Sequence, residues 1–330
     1  MNAPTSWRFC VAPMMDGTDR HCRYFHRLLT KRARLYTEMI VAEAIVRGDR
    51  ERLLGFDLVE HPVALQIGGS EPATLAQAAR IGEDFGYDEI NLNVGCPSDR
   101  VQSGAFGACL MKTPSLVAEC VEAMRTAVKI PVTVKCRIGV DDQDPDESLF
   151  MLADAIAAAG GRVVIVHARK AWLEGLSPKE NREIPPLDYE IVRRLKKTRP
   201  DLTVVLNGGL SSVAHAFEER RDVDGVMLGR AAYGEPAILA AVDNVFFGET
   251  APPLAQEEVV RAMSAYVKRM SSAGVKPHHV VRHMLGYFHG RSGARTWRRI
   301  LSQQGAGAPA TILDDALGAI REDHCTRSIA

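Results

Sequence analysis

From Glu89 to Met111 the chain reads EINLNVGCPSDRVQSGAFGACLM. Ile90, Leu92 and Val94 alternate with Asn91 and Asn93, the period of two expected of a β-strand. Gly95 and Pro97 stop the strand and bracket Cys96. A thiol just past a strand end, flanked by chain-turning residues, points into whatever lies over that end. The alternative is a buried cysteine in a turn, since unpaired Cys is among the most buried residue types. Further along, Gly104 and Gly107 allow close approach of backbone to a ligand.

Working outward, the same strand–turn–helix unit recurs. Strands are expected at Arg8–Ala12, Leu35–Thr37, Pro62–Ile67, Val132–Ile138, Val163–His167, Leu202–Leu206 and Gly225–Leu228, with the quoted strand fourth. Helices are expected from Asp19 to Leu29, capped by Asp19 or Thr18, from Pro72 to about Phe85, from about Ser115 to Val128, and from the acidic loop Asp141–Asp146 to a glycine stop at Gly160-Gly161. Eight such units predict a (β/α)8 TIM barrel, which typically takes ~250 residues. An open doubly wound sheet is the other candidate. The barrel is favoured because polar residues stand at the C-terminal end of strand after strand: Gln66, Asn93, Lys135, Arg137, His167, Asn207 and Arg230. An open sheet would gather them at one crevice.

The chain has 330 residues, 46% of them hydrophobic and 25% charged, enough for one large domain and a small one. No apolar run approaches the ~20 residues that a membrane helix needs, and Met1–Arg8 lacks the apolar core of a signal peptide. The seven cysteines, Cys10, Cys22, Cys96, Cys109, Cys120, Cys136 and Cys325, are scattered and form no Cys-x-x-Cys. That argues against a disulfide frame or a metal site and for a reducing cytosol. Residues 1–248 are expected to form the barrel and 249–255 a linker. Residues 256–330 are expected to form a helical domain.

Asn207-Gly208-Gly209 and Gly229-Arg230 follow the seventh and eighth strands. In barrels these two loops commonly bind a phosphate through backbone N–H groups and a helix N-terminus, and Arg230 can add a charge-assisted contact. Two ordinary turns are the plainer alternative. Lys135 lies within an apolar strand, where an ammonium is costly unless it meets an anion or an electron-rich ring. His167 is either a satisfied core histidine or, beside a phosphate site, a ligand.

With these residues in view, the chain resembles the tRNA-dihydrouridine synthases, flavin enzymes of barrel fold, and is closest to their A-type bacterial subfamily. The matching stretches are Ala12–Asp16, Ala64–Gln66, Asn91–Ser98, Val134–Gly139, His167–Lys170, Ser177–Arg182, Asn207–Gly209 and Gly229-Arg230, spanning most of residues 8 to 245 in order. The Asn-x-Gly-Cys-Pro element is the most specific. The resemblance implies FMN as cofactor and NADPH as reductant, and reduction of the C5–C6 double bond of uridine at U20 and U20a of the tRNA D-loop. By the same resemblance Gln66, Lys135 and His167 hold the flavin ring and its tail. Asn207, Gly208, Gly209, Gly229 and Arg230 hold its phosphate, and Pro13, Met14 and Met15 touch the ring through backbone. Asn93 and Arg137 face the uracil. Hydride passes from flavin N5 to uracil C6, and Cys96 gives a proton to C5.

That division of labour agrees with elementary chemistry. The cofactor carries the hydride, and the protein supplies orientation and charge. Charge developing at the C4 oxygen and C5 needs an acid on the face opposite the flavin, and a thiol suits it provided that it arrives protonated. The uridine must also leave its stack in folded tRNA.

Two further segments are expected to meet RNA. The loop Arg169–Pro186 is long, basic and without a strand, and its Lys179, Asn181 and Arg182 match the subfamily; an exposed polar loop is the alternative. From Val259 to Leu313 there are nine Lys or Arg and no Asp or Glu. Tyr287, Phe288 and Trp297 lie among them, and Arg295 and Arg298 fall on one side of a helix. A solvated face is the alternative, though such faces usually mix signs. A flavin dehydrogenase of free pyrimidines would share the barrel but has no use for the basic tail. A non-catalytic RNA-binding protein has no use for Cys96, Lys135 and a phosphate cradle. The expected partners are therefore tRNA and NADPH, with no metal and no membrane, and the expected unit is a cytoplasmic monomer.

Overall fold

The computed structural model describes residues 7–98, 104–303 and 305–328. The leading segment 1–6, the 99–103 part of the quoted stretch and the side chain of Cys325 lie outside the described residues. Eight parallel strands form the barrel: β1 Phe9–Val11, β2 Arg34–Val41, β3 Val63–Gly68, β4 Glu89–Val94, β5 Val132–Arg137, β6 Val163–His167, β7 Thr203–Asn207 and β8 Gly225–Leu228. They close in chain order, with β8 pairing back onto β1 through Cys10 and Met227. Closure rules out the open sheet.

The expected strand bounds hold to within a residue, except at β2. That strand runs to Val41 rather than stopping at Thr37. Its pairing with β3 shifts register between Tyr36 and Met39, and an irregularity of that kind breaks the alternation that a strand shows in sequence.

Helices surround the barrel. They are α1 Arg20–Leu29, α2 Ala42–Arg47, α3 Arg50–Leu54, α4 Pro72–Asp84, α5 Pro114–Ala127, α6 Pro145–Ala158, α7 Tyr189–Thr198, α8 Val213–Glu219, α9 Arg230–Gly234 and α10 Val242–Phe247. Their starts follow from sequence. Asp19 caps α1, its carboxylate accepting from the N–H groups of His21 and Cys22. Proline opens α4, α5 and α6, where its missing N–H costs nothing. The helices α2, α3, α7, α8, α9 and α10 are short or polar and were not marked by the strand pattern.

Alternation along the strands separates two cores. Ile90, Leu92, Val94, Val132, Val134, Cys136, Val164, Val166, Val204 and Leu206 face the helices and join the main core. Cys10, Ala12, Tyr36, Ala64, Val163, Ile165, Val205 and Met227 cluster with Trp7 inside the barrel. The interior is uneven. On the β6–β8 side it is filled by Val163, Ile165, Val205 and Met227 of that cluster. On the β2–β5 side it holds Arg34, Gln66, Glu89, Asn91, Asn93 and Thr133, all buried.

The C-terminal part is helical: α11 Gln256–Ser272, α12 Pro277–Val281, α13 Ala294–Gln303 and α14 Ile312–Ser328. It is fastened to α1. Tyr24 stacks on Tyr266 at 3.9 Å, and Phe25 meets Tyr287 edge-on at 5.2 Å. His21 Nδ1 lies 2.8 Å from Tyr266 Oη. Asp19 takes ion pairs from Arg282 at 2.8 Å and His283 at 2.9 Å. Apolar residues of both parts belong to one continuous core.

Candidate functional site

At the C-terminal ends of the strands lies a cavity of about 750 Å³. β4 ends on it with Asn93, and the turn that follows carries Cys96. Asn93 Oδ1 accepts from the backbone N–H of Gly95 (3.1 Å) and of Cys96 (3.0 Å), so the side chain that ends the strand also folds the turn. Cys96 is half-buried, with Sγ 3.4 Å from Ser98 Oγ. Its carbonyl accepts from Ala108 N–H at 2.9 Å. Cys109, the other thiol of the stretch, donates to Phe106 O at 3.0 Å and does not line the cavity.

β5 contributes Lys135 and Arg137, which stand on the inner face two residues apart. Lys135 registers with Asn93 and Arg137 with His167. Among the described residues Lys135 has no carboxylate within ion-pair distance. Burial, and then the charge of Arg137, lowers its ammonium to about 8. Arg137 is buried and braced: Nε donates to Gly95 O (3.2 Å), and Nη1 to Lys170 O (3.0 Å) and Asn181 O (2.8 Å). Burial lowers its guanidinium to about 10. Burial, followed by Arg137 and Lys135, holds His167 well below its ordinary range, so its imidazole is neutral. The floor is thus a group of cations in a low dielectric with too few anions, which favours a negative ligand.

The glycine loops after β7 and β8 flank this floor. Gly208 sits at φ +113° and Gly209 at φ +66°. A Cβ on Gly208 would lie 2.6 Å from His167 Cδ2, and one on Gly209 2.4 Å from Leu187 Cδ1. Among the described residues the N–H groups of Gly208, Gly209 and Gly229 find no acceptor. The helices that follow, α8 and α9, have only seven and five residues, so any cradle rests on these N–H groups and nearby cations. Asn207 Nδ2 donates to Met227 O at 2.7 Å, tying β7 to β8. Arg230, expected on a phosphate, lines the cavity but is paired with Glu183 at 2.6 Å. Pro13, Met14 and Met15 form the wall beyond β1, where Met14 N–H donates to Thr18 Oγ1 at 3.0 Å. Gln66 enters from β3.

Every expected cofactor residue therefore borders one cavity, with Asn93, Cys96, Arg137 and Arg182. Lys179 is exposed on the loop after β6 and stands apart from it. Asn181, expected to touch RNA, is buried and cannot. Its Oδ1 accepts from Trp172 N–H (2.7 Å), and its Nδ2 donates to Trp172 O (2.9 Å) and Leu176 O (3.1 Å). It is the internal staple of the loop. Ser98, Tyr233 and Glu235 also border the cavity and were not singled out from the sequence. Ser98 had a signal, its place in the Cys96 turn; the other two follow β8 with none.

Four of the nine tail cations are held in ion pairs, contrary to the expected free basic face. Arg261 pairs with Glu257, Lys268 with Asp314, Arg269 with Asp57 and Arg282 with Asp19. The acid-free window ended just short of two of these partners, and the others come from the barrel part. Tyr287, Phe288 and Trp297 are not stacking platforms, for all three are buried. Trp297 donates to Met284 O at 2.7 Å and packs on Phe288 at 4.7 Å. Arg295, Arg298 and Arg299 remain exposed on α13, with no carboxylate within ion-pair distance among the described residues. His289 reaches back to the cavity rim, 3.1 Å from Glu235.

Among the described residues no cluster of side chains suits a metal ion, and no helix is long and apolar enough to cross a membrane. Residues 10–318 match the profile of the family described as Dihydrouridine synthase (Dus). The tRNA-dihydrouridine(20/20a) synthase of Xanthomonas axonopodis pv. citri is 57% identical over 305 residues, covering 92% of this chain and 90% of that one. The protein of the same name from Escherichia coli K12 is 56% identical over 315 residues, covering 94% and 91%. That from Salmonella typhimurium LT2 is 55% identical over 319 residues, covering 96% of each.

Proposed function

The chain belongs to the dihydrouridine synthase family and is an oxidoreductase, and from that premise we propose that it reduces the C5–C6 double bond of uridine to 5,6-dihydrouridine at U20 and U20a of the tRNA D-loop, with FMN as cofactor and NADPH as reductant. The residues present fit the cofactor. The cavity volume lies within the ~300–1,000 Å³ of small-molecule sites. Among the described residues its floor carries cations in excess, and its glycine loops offer N–H groups without acceptors.

In this reading Gln66, Lys135 and His167 hold the ring and tail of FMN, with Pro13, Met14 and Met15 against the ring. Asn207, Gly208, Gly209, Gly229 and Arg230 take the phosphate, Arg230 exchanging Glu183 for it. Bound there, FMN would supply the hydride for uracil C6, with NADPH as the source of its electrons. Lys135 stabilises whichever state of its ligand is more negative. Arg137 and Asn93 fix the uracil and draw charge from it, and Cys96 protonates C5. Hydride and proton together saturate the double bond, and the thiol regains its proton from solvent. Arg182 and Lys179 of the loop after β6, with Arg295 and Arg298 of α13, hold the RNA backbone while one uridine is drawn into the cavity. With tRNA as substrate the enzyme works in the cytoplasm.

The observation that carries the proposal is a half-buried thiol lining the same cavity as Lys135 and Arg137, cations with no carboxylate partner among the described residues. The test is position-resolved dihydrouridine mapping in cells that lack this gene, with the gene or its Cys96→Ala form restored. Dihydrouridine at 20 and 20a should return only with the unaltered gene. Its return with both forms would remove Cys96 from the chemistry, and return at other positions would overturn the assignment.

A further inference from the structure

The polar half of the barrel interior forms one chain. At its foot is Glu89, the first residue of β4, fully buried. Four groups converge on its carboxylate. Tyr36 Oη donates to Oε1 at 2.8 Å and Thr133 Oγ1 at 2.5 Å. Trp7 Nε1 donates to Oε2 at 2.8 Å, and Arg34 stands 3.2 Å from it. Upward from Thr133 each group donates to the one below. Asn91 Nδ2 donates to Thr133 Oγ1 (2.7 Å), Gln66 Nε2 to Asn91 Oδ1 (2.7 Å) and Asn93 Nδ2 to Gln66 Oε1 (2.9 Å). Asn93 Oδ1 then receives the backbone N–H groups of Gly95 and Cys96.

We propose that Glu89 and Thr133 are positioning residues, which through this head-to-tail chain fix the amide orientation of Gln66 and Asn93 in the cavity wall and hold the Cys96 turn. The inference rests on reading the cavity as the FMN and uridine site. Its logic is donor arithmetic. The Trp7 indole and the Arg34 guanidinium can only donate, which makes the Glu89 carboxylate the acceptor of its cluster, so the Thr133 hydroxyl gives its proton to Glu89 and can only accept from Asn91. Asn91 then turns its carbonyl to Gln66, which must donate, and Gln66 turns its carbonyl to Asn93, which must donate too. A primary amide nitrogen carries two hydrogens, and the chain uses one from each. Gln66 and Asn93 therefore each keep one N–H for the cavity, a wall suited to the carbonyl oxygens of a pyrimidine-dione ring. A buried carboxylate is costly. Apolar filling of the kind seen on the β6–β8 side would serve packing as well, but it could not orient two amides nearly the length of a strand away.

Thr133→Val removes two adjoining hydrogen bonds of the chain, to Glu89 and from Asn91, keeps the shape, and leaves Glu89 its other three partners. Thr133→Ser keeps the hydroxyl. Flavin-free protein titrated with FMN, followed by the flavin fluorescence and absorption bands, should show Thr133→Val binding roughly tenfold more weakly, as expected when one amide hydrogen bond to the ligand is lost from the wall. The bands should shift, and Thr133→Ser should match the unaltered protein. Reduction of tRNA by Thr133→Val at saturating FMN should also slow, because the Cys96 turn has lost its anchor. Should Thr133→Val not fold, Glu89→Gln is read in the same titration; an amide cannot accept from all the donors around it, so the same weakening is expected. FMN affinity, bands and turnover equal to those of the unaltered protein would overturn the inference alone. Equal impairment of Thr133→Ser would also overturn it, tracing the effect to packing. An unaltered protein that takes up no FMN would overturn the reading of the cavity and the inference with it.

Discussion

Lys135 should destabilise the protein that carries it. Its ammonium is ordinary in the unfolded chain, at 10.5, and is lowered to about 8 in the fold, chiefly by burial. Between those values the unfolded chain holds the extra proton, so stability rises with pH across that window. The penalty is absent above about 10.5, grows as pH falls and is complete below about 8. At about 1.4 kcal/mol per unit, and with Lys135 half-buried on a cavity that water enters, the difference amounts to at most about 3 kcal/mol at neutral pH. Lys135→Met keeps the length and apolar stem of the side chain and removes the charge. FMN-free Lys135→Met at pH 7 should therefore be more stable by up to about 3 kcal/mol, raising the melting temperature by up to roughly 5 °C for a chain of this size. At pH 10.5 most of the gain should vanish, because the native lysine is then neutral when folded. FMN should stabilise the native protein more than the variant, since the variant has lost the Lys135 cation from a floor that keeps Arg137. Urea unfolding of both proteins at the two pH values, with and without FMN, measures all four quantities. A variant no more stable than the native protein at pH 7, or equally favoured at pH 10.5, would refute the claim that this cation is buried at a cost.

Four other outcomes are expected. Cys96→Ala should bind FMN and accept electrons from NADPH normally, while its reoxidation by tRNA in stopped flow slows by ~10²–10⁴, the range for a lost general acid; Cys109→Ala should be mild, and the reverse order would move the proton donor to Cys109. FMN affinity of the native protein should weaken as pH rises through about 8, and the titration of Lys135→Met should lack that step. Arg295→Ala with Arg298→Ala should raise the tRNA dissociation constant and lower the slope of log K against log salt by about 0.7–0.9 per lost contact, with NADPH oxidation by an artificial acceptor unchanged. Asn181→Ala should leave Trp172 N–H and the carbonyls of Trp172 and Leu176 without this partner, costing about 1–3 kcal/mol and opening the loop 169–186 to proteases.

The parts of the molecule legible in sequence were those where one periodicity served one environment. Strand alternation located the barrel, and the polar residue closing each strand located the cavity, because inward side chains at strand ends have nowhere else to point. Alternation could not say whether the Asn91 and Asn93 face met solvent, ligand or barrel interior, so Glu89 and Thr133 passed unnoticed. Asn181 was misread because a loop of charged residues gives no sign that one amide has turned inward. Trp297 was misread in a similar way. It follows Arg295 and precedes Arg298, and only the packing of α13 against Met284 and Phe288 reveals which side is buried. The tail cations were counted without the acids that meet them, since Asp19 and Asp57 are more than 200 positions away in the chain.

The fastening of the C-terminal helices to α1 bears on how the molecule can be taken apart. A fragment that stops at residue 248 would bare Tyr24 and Phe25 and leave Asp19 without Arg282 and His283. Asp19 also begins α1, immediately after the Thr18 hydroxyl that receives the Met14 N–H at the cavity wall. Excision would thus fray the same short segment that shapes the wall. A truncated barrel that lost FMN would be reporting this injury, and its failure would say nothing about which half of the chain touches the cofactor. Point substitutions on the exposed face of α13 leave the joint whole, so they can assign the RNA contacts where deletion cannot.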